Sequence, residues 1–564
     1  MTTPMSPAYA IADELRQVQV ERNQEMALWN GDLAYLERWP DFSAAGTADL
    51  VAVLRDIADR ADASPTTTAG ERTLVEAVAF GARSDATILG THPFLTAINP
   101  SEGLVATMLV FLPRYPLVTA DHGARYHAKL RSFPGFVEGW CERLRAAAAD
   151  GMVPIRHLVD REIGLLDDVL ASPLSAGSLG AQRPPAELDA ADAAAWTETL
   201  HSLLDTDVTR GLAMLRATLA EHTLPVALPD DRPGLVHLDG GAEEYGRRLW
   251  AFTSLDLTPE QVHRIGLEQV GRLEAEYLQI AAPVLGTTDL AEIYRRLRDE
   301  PELHYRDADT LVADATRALD RATAAAGAWF GTLPAAGCAA NPTQRGSLAF
   351  YSPPSREGTK PGAFFFNTAD PATWGTYQLE AVTFHEGIPG HHLQLALARE
   401  LPGLHPVVAE YLVPSYGEGW ALYTERLADE MGLYSSELDR IGMLSADSMR
   451  ACRLVVDTGI HALGWTRDQA IAYFLDHSPM TRGQVVGEVD RYIGNPGQAC
   501  AYMLGRLAIE DIRSDAEARL GNRFDIRAFH DHVLGSGSIP LGSLRRVIGD
   551  WVDETARVAG DGPG

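Results

Sequence analysis

Twelve residues constrain this chain more than any others: Thr383-Phe384-His385-Glu386-Gly387-Ile388-Pro389-Gly390-His391-His392-Leu393-Gln394. A helix is expected to enter them, yet Pro389 has no N–H and its ring clashes with the preceding turn. Ile388, before the proline, is pushed out of the helical region. Gly387 and Gly390 permit backbone angles that other residues resist. The stretch therefore reads as a helix interrupted by a two-residue bulge. Its chemistry is that of a metal site. In a His-Glu-x-x-His pattern, two imidazoles four apart reach one ion, and the adjacent Glu takes a proton from water on that ion. Here the second histidine comes six or seven residues after His385. On an unbroken helix, a spacing of six turns about 600°, roughly 120° off the first face, and a spacing of seven lies about 10.5 Å along the axis. The bulge returns His391 to the second ligand's place and favours it over His392, which then supports the site or faces substrate. Glu386 is the expected general base. The alternative is a helix ending at Gly387, a turn, and a new helix with incidental histidines.

A second stretch weighs against that alternative: Ser415-Tyr416-Gly417-Glu418-Gly419-Trp420-Ala421-Leu422-Tyr423-Thr424-Glu425. Pro402-Gly403 and Pro414 separate it from the first, so it begins a new helix. Glu418 and Glu425 share a face but lie two turns apart. Glu418 is the expected third ligand, and Glu425 a residue behind a ligand or in a salt bridge. His385, His391 and Glu418 would leave a fourth position open for water, as catalytic zinc requires. Tyr416, Trp420 and Tyr423 are read as pocket lining or core.

Both stretches closely resemble the bacterial domain-of-unknown-function family 885, in its His-Glu-Gly-x-Pro-Gly-His and Glu-Gly-Trp-Ala-x-Tyr-x-Glu signatures. The likeness continues through Arg453 to His461, through Arg491-Tyr492-Ile493, Pro496-Gly497-Gln498 and Tyr502, and through Gly537 to Leu541. The fold of that family is similar to the carboxypeptidase Taq family of gluzincin zinc metallopeptidases. The resemblance implies a largely helical metallohydrolase with a deep cleft. It implies one zinc ion, although other first-row metals suit the same ligands. It points to a short peptide or small amide as substrate, and to His461, Tyr492 and Tyr502 as candidates to share the oxyanion. Asp457, four residues before His461, would orient that imidazole. A carboxypeptidase also has to hold a substrate carboxylate, usually by a two-pronged arginine; Arg453, Arg491 and Arg506 are the candidates. The expected function is zinc-dependent hydrolysis of amide bonds in short peptides. The rivals are a zinc amidohydrolase acting on a non-peptide amide, and a helical binding protein without turnover.

Length alone suggests several domains. The motifs at 385, 418, 457 and 491 serve one site, so the 564 residues read as one large unit. Residues 1–342 form a helical half flanking the cleft, and 343–564 the metal-bearing half. A net charge of −29 argues against nucleic acid or an anionic membrane as partner. The four cysteines show no metal or redox spacing, which suits reduced thiols in the cytoplasm. No signal peptide or apolar span is read. The oligomeric state is left open, a homodimer included.

Apolar periodicity predicts helices through most of the chain. They include 7–39 with a break near Gly31, carried by Leu28, Leu33 and Leu36, and the pair 189–204 and 207–221. Residues 86–120 are punctuated by Pro93, Pro100, Pro113 and Pro116. Arg345-Gly346 through Pro354 and Gly362 through Asn367 read as a small hairpin or edge strand near the metal, with Tyr351 and Asn367 as weak candidates for substrate contact. The class expected is mainly all-α.

Overall fold

Capping chemistry starts several helices where the sequence marks them. Thr258, Thr466 and Thr481 each accept a backbone N–H three residues on, while Gln261, Gln469 and Gln484 accept the threonine's own N–H. These reciprocal pairs satisfy donors that every helix start leaves over. The computed structural model describes residues 6–23, 33–91, 98, 103–344, 347–355, 360–410 and 413–558. Expectations for the first five residues, Leu28, Gly31, Pro93, Pro100, Arg345 and Gly346 lie outside them.

The described residues form a mainly α fold with one small sheet. The expected helices at 189–204 and 207–221 run on through π-helical turns at Leu204–Val208 and Leu219–Thr223. The sheet has three strands: β1 (Cys338–Thr343), β2 (Ala349–Ser352) and β3 (Gly362–Asn367), in the order β1-β3-β2. β2 and β3 pair antiparallel, with Phe350 opposite Phe365. β1 joins β3 in parallel and was not expected from the sequence. Its Asn341-Pro342 is poor strand material, tolerated because β1 lies at an edge. β2 is the other edge strand.

Three apolar bodies cross the proposed boundary at residue 342, the smallest joining Leu311 and Ala315 to Phe364 and Trp374. Of the larger two, one joins Val262 and Leu273 to Leu454 and Val455, and the other joins Leu54 and Phe80 to Trp420 and Ile509. The helix Pro259–Leu285 lies along Glu437–His461. A Cβ on Gly266 would come within 2.8 Å of Leu454 and Val455 side-chain atoms, so this position must stay small for the helices to meet. Glu437–His461 is thereby packed from behind by the first half and presents its other side to the cleft. No described helix is long and apolar enough to cross a membrane.

Candidate metal centre

The helix Leu379–Glu386 stops at Gly387, and a second helix begins at His391 and runs to Glu400. The break is therefore four residues, Gly387 to Gly390, rather than a two-residue bulge; its Ile388–Pro389 peptide is cis. His392 N–H reaches back to Gly387 O at 3.1 Å. A Cβ on Gly390 would lie 1.9 Å from His385 O, so only glycine lets the second helix start this close to the first. The Trp420 indole N–H donates to Pro389 O at 3.1 Å, which ties the break to the helix Pro414–Glu430. That helix in turn touches Ala501–Leu520 at backbone distance. A Cβ on Gly419 would come within 2.5 Å of Gly505.

This scaffold brings His385, His391 and Glu418 together, with one ligand atom from each within 4.8 Å of the others. Glu418 Oε2 lies 3.6 Å from His385 Nε2 and 3.5 Å from His391 Nε2. Tetrahedral zinc donors at their usual bond lengths sit about 3.3 Å apart, so the spacing and the donor set fit a divalent transition ion. His385 Nδ1 is 2.8 Å from Glu425 Oε1. That contact turns Nε2 toward Glu418 and fixes the tautomer. His391 Nδ1 is buried without a partner, so its ring is the less firmly held of the two.

Burial and the charges within the cluster set its proton affinities. Burial opposes the imidazolium of His385, but Glu418 and Glu425 outweigh it and raise the ring to about 9. Burial would raise Glu418 too, yet His385 and His391 hold it well below the usual carboxylate range. Glu386 behaves differently: burial pushes its carboxyl up, with the two imidazoles only partly opposing.

The donors and Glu386 lie along a cleft of about 960 Å³. One side carries Ala349, Phe350, Tyr351 and Asn367 of the sheet, and the other carries Arg450, Arg453, Glu488, Arg491 and Tyr502. Tyr502 reaches the cleft under the Arg453 guanidinium, 4.5 Å from the ring centroid, and burial keeps its hydroxyl protonated with a pKa of about 12.

Several expected residues do not reach the cleft. His392 is fully buried, with Nδ1 2.9 Å from Tyr351 Oη and Nε2 3.0 Å from Ala336 O. It braces the sheet rather than facing substrate. His461 spends both nitrogens on backbone: Nδ1 accepts Leu235 N–H at 3.2 Å, and Nε2 donates to Tyr492 O at 3.1 Å. Burial lowers it to about 3, so it is no oxyanion donor. Asp457 does not orient that ring. Its Oδ1 accepts Tyr245 Oη–H at 2.6 Å and Gly497 N–H at 3.0 Å. The Tyr492 hydroxyl is buried behind the wall, donating to Glu488 and accepting from Arg453 Nε. Arg506 is buried against Asp447 at 2.5 Å. Tyr423 is core, its hydroxyl 2.8 Å from His530 Nε2. Arg453 and Arg491 do line the cleft, and both bind Glu488. Sequence reasoning missed Arg450 and Glu488. Arg450 stands three residues before Arg453, and that shared helix face was the available signal.

A family model described as "Bacterial protein of unknown function (DUF885)" matches residues 25–548. No curated protein matches the chain. Solved structures do. "The putative lipoprotein from Colwellia psychrerythraea" is 25% identical, with 97% of this chain and 100% of that one covered and a TM-score of 0.90. "A putative lipoprotein of unknown function from Shewanella oneidensis" is 18% identical, with 96% and 98% covered and a TM-score of 0.70.

Proposed function

Since the chain belongs to this bacterial family of unknown function, we propose a function from the chemistry of the site itself: zinc-dependent hydrolysis of amide bonds in short peptides. The observation that carries it is Glu386. It follows His385 directly and lines the cleft beside the three converging donors. A site that only stored or structured an ion would have no use for such a base. Zinc held by His385, His391 and Glu418 would polarise the scissile carbonyl and acidify a water. Glu386 accepts the proton of the attacking water and passes it to the leaving amine. Tyr502, protonated and facing the cleft, donates to the developing oxyanion. The sheet edge at β2 lies along the cleft and offers backbone groups to an extended peptide. The similarity of that family's fold to the carboxypeptidase Taq family is what suggests a carboxypeptidase-like direction of attack.

The test is Glu386→Gln. Zinc content should stay near one per chain while peptide hydrolysis falls by about 10²–10⁴. Unchanged hydrolysis would overturn the role of Glu386. Turnover of non-peptide amides but not of peptides would favour the amidohydrolase reading. Zinc binding with no hydrolysis of either would favour a binding protein.

The proposed compartment is the cytoplasm, because Cys141, Cys338, Cys452 and Cys500 are all free thiols and free thiols suit reducing surroundings. Two structural neighbours are described as lipoproteins. Recovery of the protein with the membrane fraction of cells would therefore overturn this assignment.

A further inference from the structure

The helix Arg482–Gly494 lines the cleft with Gly483, Gln484, Gly487, Glu488 and Arg491. Gly483 and Gly487 lie four residues apart on one face of that helix, and both are exposed. After proline, glycine is the poorest helix former, so two of them on one wall ask for a reason. Packing supplies none: a Cβ at either position would meet no atom within 4 Å. Backbone conformation supplies none, because neither residue has a positive φ. Gly442, elsewhere on the same cleft, is the contrast: its Cβ would lie 1.7 Å from Tyr377 O, so helix packing accounts for it. Gly164 and Gly271 also have open Cβ positions, but neither has a second glycine one turn away. What sets Gly483 and Gly487 apart is that the space both leave empty is the cleft.

The cleft also supplies apolar surface. Leu395, Met449 and Met480 line it, and methionine adapts to partners of irregular shape. Phe350 of β2 is paired with Phe365 of β3 and stacked on it, with ring centroids 4.9 Å apart and planes at 13°. Alternation along β3 sends Phe364 and Phe366 to the core and leaves the Phe350–Phe365 stack on the other face. Phe350 therefore offers the cleft a ring held in place by its neighbour. The glycines add no polar side chain. Gln484, between them, is engaged by Thr481 N–H at 3.0 Å, and Glu488 and Arg491 are bound to each other. At about 960 Å³, the cleft is near the upper end of small-ligand sites, with room for a side chain as well as a backbone.

We propose that Gly483 and Gly487 are specificity-determining residues: they keep open the part of the cleft that takes a bulky apolar side chain of a peptide substrate, an aromatic one above all. Any larger residue at either position would project into that space. The assignment rests on the hydrolase reading for its purpose, but capture of the side chain does not require turnover.

The experiment moves one phenylalanine through trialanine. Phe-Ala-Ala, Ala-Phe-Ala and Ala-Ala-Phe are compared with Ala-Ala-Ala, as ligands of the full chain carrying Glu386→Gln by calorimetry, with and without added zinc, and as substrates of the zinc-loaded chain that keeps Glu386. At least one phenylalanine peptide should bind on the order of ten- to a hundredfold more tightly than trialanine, and the same peptide should show the higher kcat/KM. Gly483→Leu and Gly487→Leu should each cut that advantage by about tenfold or more, trialanine losing less, and the corresponding Ala variants should cut it by a smaller factor. Tm should hold or rise in all four variants, because the positions are open and both Leu and Ala are better helix formers than glycine. No preference for any phenylalanine peptide would overturn the subsite. So would an advantage left intact in the leucine variants, or a fall in their Tm, which would show the positions to be packed. A phenylalanine preference in binding by a chain that hydrolyses none of the four peptides would keep the subsite and remove the hydrolase.

Discussion

Replacing Glu425 by Gln tests how the first histidine is held. Glu425 is 1% exposed, and its Oε1 lies 2.8 Å from His385 Nδ1. The amide keeps the shape and can still accept that N–H, so no cavity forms. What is lost is the charge. A hydrogen bond to a charged group contributes about 1.5–3 kcal/mol, and a neutral one about 0.5–1.5 kcal/mol. The difference, about 1–1.5 kcal/mol, corresponds to roughly a tenfold loss of zinc affinity. This lies at the low end of what loss of a residue behind a metal ligand usually costs. Competition for zinc against a fluorescent chelator of known affinity, with elemental analysis of stoichiometry, measures it. The expected result is one ion per chain bound about tenfold more weakly, with the fold intact by circular dichroism. Unchanged affinity in a folded variant would mean that Glu425 does not polarise His385 toward the ion, and the assigned tautomer would be wrong.

Other expectations follow from the same geometry. His391→Ala should lose stoichiometric zinc, whereas His392→Ala should keep it and lose stability, since His392 is bound to Tyr351 and Ala336; elemental analysis and Tm distinguish the two. Gly419→Ala would push a methyl within 2.5 Å of Gly505, so it should cost about 3 kcal/mol or more and weaken zinc binding through Glu418; denaturant unfolding and zinc titration check both. Burial lowers His392, His461 and His530 to about 4, 3 and 3. The unfolded chain therefore takes up protons first as pH falls below about 6.5, and stability should drop by about 2 kcal/mol per histidine at pH 5. Asp457, raised by burial to about 6, opposes this in part, because between pH 6 and 4 its native form holds the proton. Asp457→Asn should change the pH dependence of Tm below pH 6, and an unaltered profile would count against its buried, protonated state.

The candidate metal stretch was legible because its chemistry is local. A proline and two glycines force a break, and three chemically suited side chains lie within one short segment and the next helix. Spacing alone did not decide between His391 and His392; the inferred break in the helix favoured His391. The arginine wall was less legible. Which side of Glu437–His461 faces the cleft depends on how Pro259–Leu285 packs behind it, and no local pattern reveals that. Asp457 and His461 misled for a related reason. Four-residue spacing says that two side chains can meet, but each found a better partner far away in the chain, His461 at Leu235 and Asp457 at Tyr245. Trp420 was read as pocket or core, and it is core with one polar task, the bond to Pro389 O. β1 escaped because Pro342 hides an edge strand from a propensity argument.

The four-residue break also bears on how such a site can change over generations. In an uninterrupted metal-binding helix, the two histidines are locked into one register, and an insertion between them ruins the site. Here the distance between His385 and His391 is set by a short loop braced against a tryptophan, so each helix is free to accumulate substitutions on its own. Selection would act most strongly on the loop's shape: on the small residue at 390, where a Cβ would meet His385 O at 1.9 Å, and on the indole that holds Pro389. Lineages that kept those two features could remodel the surrounding helices, and with them the cleft and its substrates, without losing the place where the ion would sit.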